Sequence, residues 1–313
     1  MNTSPTSLAQ AAELTGCTYV GGCTDLMPLL KLQVRDDCNL AFLSRIPELQ
    51  GIQEKEGKIS IGAAVTLTEA AESPLLNDYL PAAAQAAKAV ASLQIRNIAT
   101  VGGNLLQDRR CIYFNQSAHW RSSLPLCFKT GGSVCHQIPN SPVCRAIYYS
   151  DLATALLAYD AQAEYWEAGE IHRAPLEELI RCHSDANGLD CHQHLPIILI
   201  RIWVDRPPAD EKSGFYKYAM RSSIDFPLIN FALRCGGTRP AKLVVGAVAP
   251  RPVSLPDTAA LLDSGAAEEE ILSACERELK ALAMPIKEAC ISPVRKKDLF
   301  RQITMLLHQM NHR

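Results

Sequence analysis

Residues Gln94–Asp108 read QIRNIATVGGNLLQD. An apolar stretch enters a glycine pair, and the polar Asn104 follows. Glycine, lacking Cβ, lets a backbone come close to a ligand, and consecutive amides in such a turn can point at an anion. Taken alone, this pattern is more often a tight turn than a site. The chain holds a second instance, YVGGCTDLMPLLK at Tyr19–Lys31, where Gly21, Gly22, Thr24 and Asp25 follow an apolar strand. Two polar glycine turns, each entered from a strand, suit a diphosphate gripped from both sides. Neither is G-x-G-x-x-G or G-x-x-x-x-G-K-[ST], so neither a Rossmann site nor a P-loop is expected.

The 313 residues leave room for two domains, since one core serves about 100–200 residues. Apolar residues at 48% and charged residues at 20% describe a globular protein with a real core. A net charge of −2 argues against generic nucleic-acid binding, which needs a basic surplus. No apolar run is long enough to span a membrane. The N-terminus lacks the basic patch and apolar core of a signal peptide. The expected compartment is therefore the reducing cytoplasm, where the twelve cysteines are not expected to be structural disulfides. Cys17, Cys38, Cys235, Cys275 and Cys290 lie among apolar neighbours and read as small buried hydrophobes.

Around the two turns the chain mixes strands and helices without strict alternation, which favours an α+β fold over a doubly wound sheet. KISIGAAVTL reads as a strand, LPAAAQAAKAVASL as a helix, and LPIILIRIWV as a strand too apolar to be exposed. DRPPADEKSG reads as a linker. It separates residues 1–205, with subdomains 1–55 and 56–205, from a domain at 212–313. The latter opens on strands and closes on two helical segments, the first with acids in its opening turn as the helix dipole prefers.

The stretch from Arg109 to Cys144 interrupts this pattern. It carries Cys111, Cys127, Cys135 and Cys144 among Arg, Asn, Ser, Gly and Pro, which cannot build a core. Their spacing, C-x15-C, C-x7-C and C-x8-C, matches no zinc ribbon and no ferredoxin run. Zinc, a [4Fe–4S] cluster and free thiols all stay open on spacing alone. A second group, Cys182, His183, Cys191, His192 and His194, has zinc-ligand residue types but poor spacing, and reads first as a surface turn.

The segments VGGCTDLMPLLK, QIRNIATVGGNL, SDLATALLAYDA and FYKYAMRSSIDFPLINFAL occur in the order found in the FAD-binding medium subunits of the molybdenum hydroxylase family. The chain resembles these subunits, of xanthine dehydrogenase and CO dehydrogenase type, over nearly its whole length. The resemblance implies a two-subdomain FAD-binding fold of the PCMH (vanillyl-alcohol oxidase-like) type, followed by a CO dehydrogenase flavoprotein-like α+β domain. It places the FAD pyrophosphate on Gly21, Gly22, Cys23, Thr24, Asp25 and Leu26, and on Thr100, Val101, Gly102, Gly103 and Asn104. It assigns Asp151 to the ADP half of the cofactor and Lys217 to the neighbourhood of the flavin ring, where a cation stabilises negative charge. The family's first motif reads A-G-G-T-D-L, so Cys23 stands at its second glycine, where a side chain crowds the pyrophosphate.

Ordinary family members run from the GGN turn to the SD segment in a short loop. Here the path from Asn104 to Ser150 far exceeds the ~12–15 residues at which structureless loops become uncommon. The insertion, about residues 107–148, resembles that of 4-hydroxybenzoyl-CoA reductase β subunits, in a matching RC-Y-NQS--WR…C-K--G--C…C frame. That resemblance implies a [4Fe–4S] cluster on Cys111, Cys127, Cys135 and Cys144. Residues 105–150 hold Arg109, Arg110, Arg121, Lys129 and Arg145 against the single acid Asp108. Such charges offset a thiolate cluster or dock an acidic electron carrier.

The implied role is electron transfer between a ferredoxin-like carrier and the [2Fe–2S] and molybdopterin subunits, in a dimer of heterotrimers. No nucleophile–base constellation appears, so no catalytic residue is expected on this chain. The competing expectations are an FAD subunit acting with another aromatic or N-heterocycle hydroxylase, and a zinc-binding maturation or scaffold protein.

Overall fold

The computed structural model describes residues 2–189, 197–221, 224–288, 292, 295–296 and 298–311, side chains of 183–189 excepted. Cys290, Cys191, His192 and His194, and the side chain of His183, therefore lie outside what the structure describes. Among those described, strands form three sheets. Thr18–Val20 pairs in parallel with Leu40–Phe42, so the first glycine turn leaves the end of a strand. Ile52–Lys55, Lys58–Gly62, Ile197–Asp205, Gln162–Glu167 and Glu170–Pro175 make a five-stranded sheet in that order, every neighbour antiparallel. The apolar Ile197–Asp205 strand is central because both its faces are covered. Leu199, Ile202 and Val204 join the main core, and Ile198 and Ile200 a second cluster beneath the N-terminal helix.

The C-terminal sheet orders Val253–Ser254, Lys242–Gly246, Ile229–Cys235 and Lys212–Tyr218, again antiparallel. Its strand period of two divides the side chains between layers. Ala232 and Val244 pack toward the main core, which includes helices Pro81–Ala89 and Asp151–Ala158. Ile229, Phe231, Leu233 and Val245 pack with helices Glu268–Leu282 and Ile303–Asn311. The alanine run of Pro81–Ala89 suits this place, since its five buried alanines let the helix lie close between neighbours. The mixture of antiparallel sheets and packed helices is α+β, as expected.

The cysteine stretch is folded rather than open. Arg110 and Ile147 form an antiparallel bridge at its neck, so the segment leaves and returns side by side. A short helix, Ala118–Arg121, is capped by Ser117, and a 3-10 turn spans Phe128–Thr130. Phe114 packs with Leu29 and Val34, which fixes the insertion against the helix that follows the first glycine turn. Lys129 is 1% exposed, pairs with Asp108, and donates to the Arg109 carbonyl at 2.7 Å, with its ammonium over the Phe114 ring. A buried pair of this kind is strongly destabilising when one partner is removed.

Candidate functional site

The two glycine turns meet. A Cβ on Gly21 would stand 2.2 Å from Thr100 Oγ1, and one on Gly22 would stand 1.9 Å from the Ile98 carbonyl oxygen. The first pair of glycines is thus needed for one turn to touch the other. Gly102 is likewise closed in by Ala63, at 3.0 Å. Gly103 differs: it is exposed, and a Cβ there would meet only Thr100 Oγ1 at 3.1 Å.

Between the turns lies a cavity of about 1310 Å³. Gly21 through Leu26 line it on one side, and Thr100, Gly102, Gly103 and Asn104 on the other. Val101 does not line it; its side chain is fully buried in the core. The turns contribute differently to an anion. In the second, the amides of Val101 and Gly102 donate to Val65 and Ala63 carbonyls, Gly103 donates to Thr100 Oγ1 and Asn104 to the Thr100 carbonyl. In the first, the amides of Cys23, Thr24 and Asp25 donate to no group among the described residues. The expected two-sided grip by amides is therefore one-sided: the first turn offers donors, and the second offers room. Unpartnered amides beside an open glycine face fit a diphosphate.

Cys23 has a φ of 61°, in the left-handed region that favours glycine. This explains the glycine of the related motif by backbone conformation as well as by space, at about 1–2 kcal/mol for a residue with Cβ. Burial first, and the nearby Asp37 second, push its thiol pKa up.

Asp151 and Lys217 are brought together, and neither lines the cavity. Lys217 Nζ lies 2.9 Å from Asp151 Oδ2 and donates to the Ala89 carbonyl at 2.9 Å. Asn230 donates to the other Asp151 oxygen. Burial pushes the Asp151 carboxyl above its ordinary range, opposed by Lys217 and the hydrogen bonds.

In the insertion, burial pushes the Cys111 thiol up, helped by nearby Cys135 and opposed by hydrogen bonds from Tyr113, Phe114 and Gln137. Burial does the same at Cys144, where Arg109 and Lys129 oppose it and Cys111 assists. Among the described residues, no three His, Cys, Asp or Glu side chains close on one point as a single metal ion requires. The five cations are turned largely into the protein. Arg109 and Lys129 are buried, and Arg110, Arg121 and Arg145 are half-buried and engaged with protein groups.

The cavity also has walls that sequence reasoning missed. Arg110 pairs with Asp25, and Phe226 arrives from the C-terminal sheet's loop; His172 comes from the edge strand of the five-stranded sheet and Trp166 from the strand beside it. Arg110 opens the RC frame and Phe226 lies within the FYKYAMRSSIDFPLINFAL segment, but neither stretch announces a cavity wall; contacts over long sequence separations bring all four residues to the turns.

Residues 2–195 match the family described as the FAD binding domain in molybdopterin dehydrogenase. The chain belongs to this family. It is 30% identical over 274 residues to the aldehyde oxidoreductase FAD-binding subunit PaoB of Escherichia coli (strain K12), covering 85% of both chains. It is 26% identical over 241 residues to the xanthine dehydrogenase FAD-binding subunit of Escherichia coli O157:H7, covering 75% of this chain and 68% of that one. The fold is that of a solved CO dehydrogenase chain from Oligotropha carboxidovorans, at a TM-score of 0.77 and 17% identity over 100% of this chain and 97% of that one. The protein is an FAD subunit of a molybdenum hydroxylase-type oxidoreductase. No described helix is long and apolar enough to cross a membrane.

Proposed function

We propose that this chain relays electrons between an external one-electron carrier and [2Fe–2S] and molybdopterin subunits. In this reading the insertion, about residues 107–148, holds a [4Fe–4S] cluster on Cys111, Cys127, Cys135 and Cys144. The complex is of the 4-hydroxybenzoyl-CoA reductase type, serving aromatic degradation. What supports the reading is the folded insertion: its neck closes through the Arg110–Ile147 bridge, and Arg109 and Lys129 are buried in the segment that carries the four cysteines. Nearby cations and backbone amides favour thiolate-rich clusters and tune their potential.

FAD, when bound, supplies electron transfer in one- or two-electron steps. The free amides of Cys23, Thr24 and Asp25 bind its pyrophosphate, and Gly103 leaves the space it needs. Thr100, Val101, Gly102 and Asn104 hold the second turn in place. The assignment of Lys217 to the flavin side draws support from its bond to Ala89, since the next residues, Val90 and Ala91, line the cavity. Asp151 holds that lysine.

A second reading, an FAD subunit for another aromatic or N-heterocycle hydroxylase, is favoured by one likeness. The chain is 34% identical over 212 residues to the nicotinate dehydrogenase FAD-subunit of Eubacterium barkeri, covering 67% of this chain and 57% of that one. Anaerobic purification with the co-purifying subunits separates the readings. Flavin together with iron and acid-labile sulfide beyond that of the small subunit supports the cluster. Flavin with no such excess leaves the hydroxylase subunit, and zinc without flavin indicates a scaffold.

A further inference from the structure

Arg110 belongs to the insertion by sequence and to the FAD cavity by position. The bridge of Arg110 with Ile147 holds its backbone at the neck of the insertion, one residue before Cys111. Its side chain ion-pairs with Asp25, the last residue of the turn with free amides, and its guanidinium carbon stands 4.8 Å from the centre of the Phe226 ring. All three residues line the cavity. The Nε of Arg110 is buried and meets no partner among the described residues.

Asp25 poses an electrostatic problem. Its carboxylate stands in the same turn whose amides face a dianionic pyrophosphate, and like charges in a partly desolvated cleft repel. Within the cavity lining, Arg110 is the cation paired with it. We propose that Arg110 is a charge-compensating binding residue. It neutralises Asp25 so that the cavity accepts a phosphate-bearing flavin, and through Phe226 it seats the C-terminal domain's loop at the cavity wall. The insertion thereby contributes to the affinity of the neighbouring FAD site as well as carrying its own cysteines. This inference rests on the reading of the cavity as the FAD site.

The full chain, stripped of flavin, is titrated with FAD and with riboflavin, which has no phosphate, and flavin fluorescence is followed. Wild type binds FAD; if it takes up none, the FAD reading of this cavity falls and the inference with it. Arg110→Met weakens FAD by about tenfold or more, the size expected of one uncompensated charge within a Debye length of a phosphate. It leaves riboflavin binding within about threefold, because the penalty acts on phosphate charge. Adding Asp25→Asn to Arg110→Met restores FAD affinity, and Arg110→Lys keeps most of it. A merely structural arginine would give none of these: equal weakening of both ligands, or no recovery in the double variant, overturns the proposal. If Arg110→Met does not fold, Asp25→Asn alone decides. It leaves Arg110 as a free cation, so FAD binds more tightly and with a steeper salt dependence than in wild type, and riboflavin does not change. Loss of both ligands in Asp25→Asn overturns the proposal.

Discussion

Gly22 and Gly103 both belong to the glycine turns that line the cavity, and the structure predicts opposite consequences for substituting them. A Cβ on Gly22 would sit 1.9 Å from the Ile98 carbonyl oxygen and 2.5 Å from its carbon. Both are backbone atoms, so no rotamer change relieves the overlap and the two turns must part. Overpacking of this kind costs about 1–3 kcal/mol, and an immovable backbone contact places Gly22→Ala at the upper end, about 3 kcal/mol. At roughly 2–4 °C per kcal/mol for a chain of this size class, the flavin-free protein should melt about 6–12 °C lower. Gly103→Val adds a side chain whose Cβ meets only Thr100 Oγ1 at 3.1 Å, on an exposed residue that lines the cavity. Its flavin-free melting should fall by only a few degrees, since the change is within about 1 kcal/mol for a β-branched residue in a helical turn. Its FAD affinity should collapse, because the branch fills the cofactor's space. The assays are thermal denaturation of flavin-free protein and FAD titration by fluorescence. An unchanged melting temperature in Gly22→Ala would refute the turn-to-turn packing. Full FAD occupancy in Gly103→Val would mean that the pyrophosphate lies elsewhere.

Cys127→Ser should remove the insertion's iron–sulfur EPR signal while flavin content stays near stoichiometric; retained iron with unchanged EPR sinks the ligand assignment. Lys129→Met leaves the Asp108 carboxylate buried against its neighbours, and chemical denaturation should show a loss of about 3–5 kcal/mol, partly recovered by adding Asp108→Asn. Burial pushes the Cys275 thiol up to about 12. A thiol reagent at pH 8 should therefore modify exposed Cys38 and spare Cys275 until unfolding. The same shift sets a sign for stability: the folded state keeps a proton that the unfolded state loses. The contribution is constant below the ordinary thiol value of 9.0 and lost as pH rises toward about 12. Reduction by an acidic one-electron carrier should depend weakly on ionic strength; a steep fall in rate with salt would restore charge steering at the insertion.

The glycine turns were legible because their signal is local. A strand, two small residues and a polar follower sit within a few positions, and the Ser–Asp and Tyr–Lys segments are equally short. What the sequence hid depends on pairings over long separations. Arg110 meets Asp25 across 85 positions, and nothing near either residue announces the other. Lys129 hides its burial for a different reason. A lysine amid Gly, Ser and Thr is by default solvated, yet the neck of the insertion folds Asp108 and the Arg109 carbonyl around its ammonium. The second turn's amides were credited to a ligand because a turn's pattern does not reveal which donors the sheet has already taken. Here Ala63 and Val65, just beyond the strand Lys58–Gly62, take two of them.

The inward charges change what the insertion is for. A docking patch needs cations held in water, where they act at a distance of about a Debye length. In this chain Lys129 is spent on Asp108, and Arg121 on the carbonyls of Gln33, Phe114 and Gln116. Arg121 thus ties the insertion to the helix end that follows the first glycine turn. Arg110 ties its neck to the turn itself, and Gln137 exchanges two hydrogen bonds with the Lys287 backbone, tying it to the C-terminal part of the chain. Three attachments, to the first glycine turn, to the end of the helix after it and to the backbone at Lys287, make the insertion a brace as much as a carrier of thiols. A redox centre in the insertion, as proposed, would be tied to the cavity through these contacts, so displacing it would break the Arg110–Asp25 pair or the Arg121 and Gln137 hydrogen bonds. A held spacing is what the proposed electron relay would require, and these contacts favour it.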